Sequence, residues 1–529
     1  MRPDQNPPRP LSELARLLGS EAFVTCVEPA ETADAGGGPS GEAGTDPAAT
    51  PIGGITHDSR AVRPGDLYAA LPGSRAHGAD FAGQAAASGA AAVLTDPTGY
   101  DRAAATRLPV VTVADPRAVL GRVAAWVYGR PGDDLLLIGT TGTSGKTTVT
   151  YLAEAGLRAA GMTTGLIGTV EMRVGGRRVA SSLTTPEATD LHGLFARMRE
   201  EGIASAAMEV SSHALALGRV GGAHYDVAVF TNLSQDHLDF HSDLREYFDT
   251  KALLFTPEYC RIAVVNSDDR FGRVLIDQVR ARGDVPVTTF SADGDPEADW
   301  RAADVRTGPA GSTFRIVGPG GMEAAASVGL PGAFNVANAM AAVVGLVEAG
   351  VPLHNAIEGV AAAPGVPGRM ERVDGGQDFT AVVDYSHKPG AIEAVLSALR
   401  GIAKGRLTMV VGCGGDRDRA KRPLMGEAAA RLADAVIITD DNPRTEDPVA
   451  IATAVLDGVS KVPRDQRARI TVEPDRAEAI GLAVRRAGPG DVVVVAGKGH
   501  ETGQYVAGEV LPFDDRDVLL AALRRRSAH

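Results

Sequence analysis

"LLLIGTTGTSGKTTVTYLAEAGL", Leu135 to Leu157, is the stretch that decides the fold. An apolar run ends in a glycine-bearing turn, and Lys146, Thr147 and Thr148 open a helical pattern behind it. Strand, glycine turn and helix in that order form a loop for a nucleoside triphosphate. Gly142 and Gly145 let the backbone around Thr143 and Ser144 turn its amides on the phosphates, and the helix N-terminus adds its positive dipole. Lys146 would neutralise the outer phosphate oxygens, and the Thr147 hydroxyl would bind magnesium. One position departs from the strict pattern: Thr140 stands where a glycine is expected, and the glycine sits one residue earlier, at Gly139. The loop alone does not say which group receives the phosphate.

The rest of the chain sets bounds. Its 529 residues are enough for three or four domains at ~100–200 residues each. Apolar content of 44% and charged content of 22% are those of an ordinary globular protein. A formal net charge of −13 leaves no basic field for nucleic acid or an anionic membrane. Cys26, Cys260 and Cys413 are far apart and form no CxxC pair, which argues against a disulfide framework and for a reducing cytosol. Prolines occupy the N-terminus where a signal peptide needs an apolar core. No apolar run approaches the ~18–20 residues of a membrane span. A cytoplasmic protein without membrane insertion is expected.

Residues 31–50, "ETADAGGGPSGEAGTDPAAT", lack large apolar side chains and read as a flexible insertion in a smaller first domain, 1–130. "FAGQAAASGAAAVLTD" reads as helix, glycine stop, strand. A second domain, 131–365, holds the glycine loop, further strands in "ASAAMEVSS" and "YDVAVFTNLS", and a long apolar helix in "PGAFNVANAMAAVVGLVEAG". Its sheet is expected to be mostly parallel. "APGVPGRMERV" is rich in Pro and Gly and suits a hinge. A third domain, 366–529, repeats the alternation in "FTAVVDY", "RLTMVVGCGGD", "DAVIITDDNPR" and "DVVVVAGKGH". Each strand there ends in a polar, glycine-bearing turn, and ligands bind at such carboxyl ends in open α/β sheets. The expected architecture is therefore α/β with three domains: a small N-terminal one, a central nucleotide-binding one and a Rossmann-like C-terminal one.

The loop variant G-x-T-G-T-x-G-K-T resembles that of the Mur ligase family, ATP-dependent enzymes that join a carboxylate to an amine. "MEVSSHAL" (208–215), "TNLSQDHLDFH" (231–241), "FDTKALLF" (248–255), "FNVANAMAA" (334–342), "GRMERV" (368–373) and "DYSHKPGAIEAVL" (384–396) are similar to family blocks, in family order. "GCGGDRDRAKRPLMG", "TDDNPRTEDP" and "AGKGHE" follow. The match runs over nearly the whole chain after about residue 52, and implies transfer of the γ-phosphate to the acceptor carboxylate, then attack by the amine on the acyl phosphate. Among family members it points to those that add 2,6-diaminopimelate to UDP-N-acetylmuramoyl-L-alanyl-D-glutamate, in peptidoglycan precursor synthesis, with a monomer as the favoured state.

The resemblance carries roles onto single positions. It implies that Thr147, Glu209, His237 and Lys251 serve two magnesium ions, with Lys251 carbamylated; Lys146, Glu209, His237 and Lys251 are then the catalytic set. By residue type alone Glu209 is a solvated strand end, His237 a loop histidine and Lys251 a surface lysine. Asn335 and Asn338 match the adenine side, although an asparagine capping a helix is the plain reading of the first. Arg369 and Asp384 match positions around the phosphates and ribose, with His387 in support. For the nucleotide sugar the matching positions are Ser59, in the uridine place, and Ser74, Arg75 and Ala76. Thr184, Thr185, Ser211 and Arg219 match contacts to the muramoyl peptide; Leu183 and Leu217 depart from polar residues common there, and His57 stands where relatives often have an apolar residue.

The incoming amine is chosen by "DDNPR": Asp441, Asn442, Pro443 and Arg444. Diaminopimelate carries a second carboxylate that lysine lacks, and a planar guanidinium grips such a group bidentately. The resemblance places Arg417 in the same pocket, with Gly497 and Glu501 at the distal ammonium. The structural alternative for Arg444 is a turn ion pair with Glu446 or Asp447. Two rival functions are a folylpolyglutamate-type ligase, which lacks the "DDNPR" and "GCGGDRD" blocks, and a P-loop kinase, which would need no amine.

Overall fold

The computed structural model describes residues 2–25, 46–179 and 183–527. Most of the insertion expected over 31–50 lies outside the described residues. The strand Leu136–Thr141 lies deep in an eleven-stranded sheet, between Ser205–Glu209 and Tyr225–Phe230 and parallel to both. Its near-continuous apolar run follows from that position, since a parallel strand covered on both faces has no polar side to show. Helices Lys146–Ala159 and Ala333–Glu348 cover one face through Val149, Leu152, Met340 and Leu346. The helix Ala188–Glu200 covers the other with Leu191, Phe195 and Met198.

The expected strands and the long apolar helix all form. The sheet is parallel in its middle and antiparallel at both ends, where Met172–Val174 and Arg177–Val179 pair at one edge and Trp300–Gly308, Gly311–Val317 and Glu323–Val328 at the other. Those edge strands were not expected, because their exposed polar residues interrupt the apolar alternation that marks a strand.

Two more α/β sheets complete the chain. A five-stranded one is built from residues 22–113, parallel except where Ala22–Thr25 joins antiparallel to Val110–Val113. A six-stranded one runs Glu371–Arg372, Thr380–Asp384, Val492–Ala496, Leu407–Val411, Ala435–Ile438, Arg469–Val472, and only its first pair is antiparallel. We propose 1–130, 131–365 and 366–529 as the three domains, one around each sheet. Among the described residues no helix is long and apolar enough to cross a membrane.

The register sets what stands together. Glu209 pairs with Thr140, and Phe230 with Thr141, so Glu209 and the residues after Phe230 flank the glycine loop at the same sheet edge. In the six-stranded sheet Asp384 pairs with Ala496 and Val411 with Ile438. That brings the turns after four strands to one edge.

Candidate active site

Gly142 and Gly145 take positive φ, +148° and +88°. A Cβ on Gly142 would meet Thr231 Oγ1 at 1.9 Å, and one on Gly145 would meet Asn338 Oδ1 at 2.4 Å, so the loop needs both glycines. Asn232 and Ser234 clasp the loop from the next strand end. Asn232 Oδ1 accepts from the Ser144 amide at 3.0 Å, and the Ser234 amide donates to Thr143 Oγ1 at 3.0 Å. Lys146 folds back, its Nζ donating to the carbonyls of Gly142 at 2.9 Å and Thr143 at 3.2 Å. Burial pushes its ammonium down to about 8, against the pull of Glu209. Thr148 is buried on the first turn of the helix.

Glu209 is no solvated strand end; it is 1% exposed. Its carboxylate accepts from Thr147 Oγ1 at 3.0 Å, from the Thr169 amide at 2.7 Å and from Thr169 Oγ1 at 3.2 Å. Lys251 is no surface lysine either. It is 1% exposed, lies 4.7 Å over the Tyr247 ring and donates to the Gly142 carbonyl at 3.0 Å. Burial, then the charge of Lys146, push its ammonium well below the usual lysine range. His237 sits in a left-handed turn, φ +53°, and pairs with Asp236 at 2.9 Å, as the plain loop-histidine reading has it.

The donor set at the loop is made of oxygens. A hydroxyl and a carboxylate, Thr147 and Glu209, meet at the loop, and hard oxygen donors completed by substrate phosphates are what magnesium takes. The first ion fits. Among the described residues no group of three or more His, Cys, Asp and Glu side chains could by itself hold a metal. A second ion would need the extra oxygens that a carbamate on Lys251 supplies.

The six-stranded sheet faces this loop. Arg369 donates to Thr147 Oγ1 at 3.3 Å and lies 4.3 Å over the Tyr385 ring. Asp384 is buried, and burial raises its carboxyl; one oxygen accepts from the Met370 amide at 2.8 Å and the other from the Ser386 amide at 2.8 Å. The first fixes the backbone next to Arg369, and the second holds the turn that follows Asp384. Asn338 donates to Asn335 at 2.9 Å, which in turn donates to the Pro331 carbonyl at 2.8 Å. The helix cap is Gly332, so Asn335 is not the cap its type invited.

At the far end of that sheet Arg444, φ +54°, donates to the Gly415 carbonyl at 2.7 Å and lies 5.8 Å from the Tyr505 ring centroid. The acids offered by the turn-pair alternative are engaged elsewhere: Glu446 by Arg422 at 2.8 Å and Arg419 at 3.1 Å, and Asp447 as the cap of the helix Pro448–Ser460. Asn442 donates to Glu501 at 2.8 Å. Lys498, fully buried, donates to Asn442 Oδ1 at 2.9 Å and to the Gly503 carbonyl at 2.6 Å, and lies 3.9 Å from Asp441. Burial raises the Asp441 carboxyl, with Arg476 and Lys498 opposing. Pro443 is buried beside them, Gly497 takes φ +112° against Asp441, and Arg417 is exposed at the rim.

Residues 51–128 match the Mur ligase family catalytic domain, 140–346 the Mur ligase middle domain, and 368–499 the Mur ligase glutamate ligase domain. A UDP-N-acetylmuramoyl-L-alanyl-D-glutamate–2,6-diaminopimelate ligase of Streptomyces avermitilis is 59% identical, over 90% of this chain and 94% of its own. Its namesake in Streptomyces coelicolor is 60% identical, over 90% and 93%. The chain belongs to the Mur ligase family. A solved structure of a ligase with the same name superposes with a TM-score of 0.65 at 34% identity, over 90% of this chain and 96% of that one. MurF from Acinetobacter baumannii, at 20% identity and a TM-score of 0.62, shares the fold. Like other Mur ligases, the chain is an ATP-dependent, ADP-forming ligase.

The remaining expected positions of this Mur ligase lie towards the first sheet. Thr185 Oγ1 donates to the Glu209 carbonyl at 2.9 Å and accepts from the Ser211 amide at 3.1 Å, which ties both to the strand end that carries Glu209. Thr184 meets Thr169 at 3.0 Å, and Arg219 pairs with Glu187 at 2.8 Å. Ser59 is buried against Gln84 at 3.2 Å. Ser74, Arg75 and Ala76 lie exposed in a bend. His57 meets Thr189 at 3.0 Å, a contact between the first and second sheets' units. Sequence reasoning passed over Asp236, Lys388 and Lys498. All three lie inside quoted blocks, but nothing local in the sequence marks Lys498 as buried or Asp236 and Lys388 as a pair.

Proposed function

We propose that this Mur ligase adds 2,6-diaminopimelate to the D-glutamate of UDP-N-acetylmuramoyl-L-alanyl-D-glutamate in the cytoplasm, in peptidoglycan precursor synthesis. The observation that carries the choice of amine is Arg444, a guanidinium beside a polar pocket whose neighbouring acids are already paired. The relatives at 59% and 60% identity carry that activity in their names.

Phosphoryl transfer comes first: the bond from the γ-phosphorus to its bridging oxygen breaks, ADP leaves, and a D-glutamate carboxylate oxygen takes the phosphorus. The amine nitrogen, its proton lost, then attacks the acyl carbon; the C–N bond forms and inorganic phosphate departs. The loop amides around Gly142–Gly145 and Lys146 hold the phosphates, and Arg369 reaches the same spot from the third unit. Magnesium bound by Thr147 and Glu209 would offset the repulsion between phosphate and carboxylate. His237 and a carbamylated Lys251 would serve the second ion, since a neutral buried amine can capture carbon dioxide. Intact mass of the native protein checks this: an unmodified Lys251 in fully active protein removes it. Arg444 would grip the distal carboxylate, and Glu501 the distal ammonium.

The deciding experiment measures phosphate release with each substrate omitted in turn. Release should require the muramoyl dipeptide and diaminopimelate together, and lysine should substitute poorly. ATP hydrolysis at full rate without the dipeptide, or a stable phospho-product without amide, ends the proposal.

A further inference from the structure

Lys388 lies in the turn between the strand Thr380–Asp384 and the helix Pro389–Arg400, at the edge of the third unit that faces the glycine loop. It is the N-cap residue of that helix, and its ammonium forms an ion pair with Asp236 of the second unit. Asp236 is two residues past Ser234, whose amide and carbonyl both clasp Thr143 of the glycine loop, at 3.0 and 3.2 Å. The lysine therefore stands over the phosphate site from the opposite side of the interface, with its side chain 18% exposed.

Three other cations around the loop are occupied. Lys146 and Lys251 donate to loop carbonyls, and Arg369 donates to Thr147 over the Tyr385 ring. Lys388 alone among them is held by a carboxylate, and a carboxylate is what a phosphate can replace. Asp236 also keeps His237 as a second partner, so losing the lysine leaves it paired. The N-terminus of the helix Pro389–Arg400 adds positive potential at the same point.

We propose that Lys388 is a further catalytic residue: with substrates bound it leaves Asp236 and contacts the γ-phosphoryl group as this passes from ADP to the D-glutamate carboxylate. The inference rests on the reading of the site given above. It also gives the third unit a second contact, beside Arg369, in the first half-reaction.

The test omits the amine and traps the acyl phosphate with hydroxylamine as a hydroxamate. Lys388→Met should slow hydroxamate formation about 10²-fold, the usual cost of removing one donor to developing charge, while Lys388→Arg keeps most of the rate. Lys388→Gln serves should the methionine variant fold poorly. In an Asp236→Asn background the same lysine substitution should cost the same factor, because the role lies with the phosphoryl group and not with the ion pair. A Lys388→Met rate within about threefold of the parent, or no further cost in the Asp236→Asn background, overturns the assignment. If the parent protein yields neither hydroxamate nor amide, the reading of the site itself has failed; if it yields both and Lys388→Met is as fast, only the lysine assignment has.

Discussion

Two side chains carry predictions of their own. Arg444 spends one donor on the Gly415 carbonyl and keeps the rest of its fork for the pocket. Arg444→Ala should raise the KM for diaminopimelate at least tenfold, for a loss of about 1.5–3 kcal/mol in a charged hydrogen bond. The KM for ATP should hardly move; an equal rise in both would make the arginine structural. Lys146 behaves differently, because its ammonium is buried and its pKa falls to about 8. In the nucleotide-free protein it loses its proton as pH rises through that value, and bound phosphates restore the charge. ATP binding above about pH 8 should therefore take up a proton, and affinity should fall as pH climbs. Calorimetry in two buffers of different ionisation enthalpy reads this directly; no proton uptake at pH 8.5 contradicts it. The sign for folding is consistent. The unfolded chain holds this proton up to the usual lysine range, so this group's contribution to stability rises with pH between about 8 and 10.5.

At the scale of elements, one buried pair organises the third unit. Arg476 opens the helix Arg476–Arg486, Asp515 opens the helix Asp515–Ser527, and their fully buried side chains meet through two bonds of 2.7 Å. The same guanidinium donates to the carbonyls of Asp440 at 3.3 Å and Ala496 at 2.9 Å, the residues just before Asp441 and Gly497. Arg476→Met strands a buried carboxylate and should cost about 3–5 kcal/mol in urea unfolding, with a raised KM for diaminopimelate in what remains folded. A loss under 1 kcal/mol would show the pair to be dispensable. None of this was legible in the sequence, because a long-range ion pair leaves no periodic mark. The parallel strands were legible, since burial on both faces forces continuous apolar runs such as "DVVVVA". The edge strands from Trp300 to Val328 were not, since their outer positions stay polar. The glycine loop could be read because its backbone demands fixed residues at fixed spacing. Asp236 and Lys388 meet only through the tertiary fold, 152 positions apart, so their pairing had no local signal.

For the whole molecule, the units meet where the chain passes from the second to the third. Gly368 closes that Pro/Gly stretch with φ +67°, and a Cβ there would lie 2.2 Å from the His500 nitrogen and 2.3 Å from the Gly499 carbonyl carbon. Those are backbone atoms of the loop that carries Gly497 and Glu501, and they cannot swing aside as a side chain would. The next residue, Arg369, reaches Thr147 on the phosphate loop. Position 368 thus sets the spacing between the phosphate loop and the amine pocket at once. Gly368→Ala adds about 1–2 kcal/mol of left-handed backbone strain and also forces the two loops apart. Attack on an acyl phosphate needs its partners within contact distance, and a misplacement near 1 Å costs on the order of 10²-fold in rate. Steady-state kinetics should show kcat down by about that factor, with nucleotide binding to the second unit largely kept, since Lys146 and Gly142–Gly145 belong to that unit alone. A Gly368→Ala protein that turns over at the parent rate would mean that the third unit moves freely enough during the cycle for the contact at His500 not to set the reacting distance.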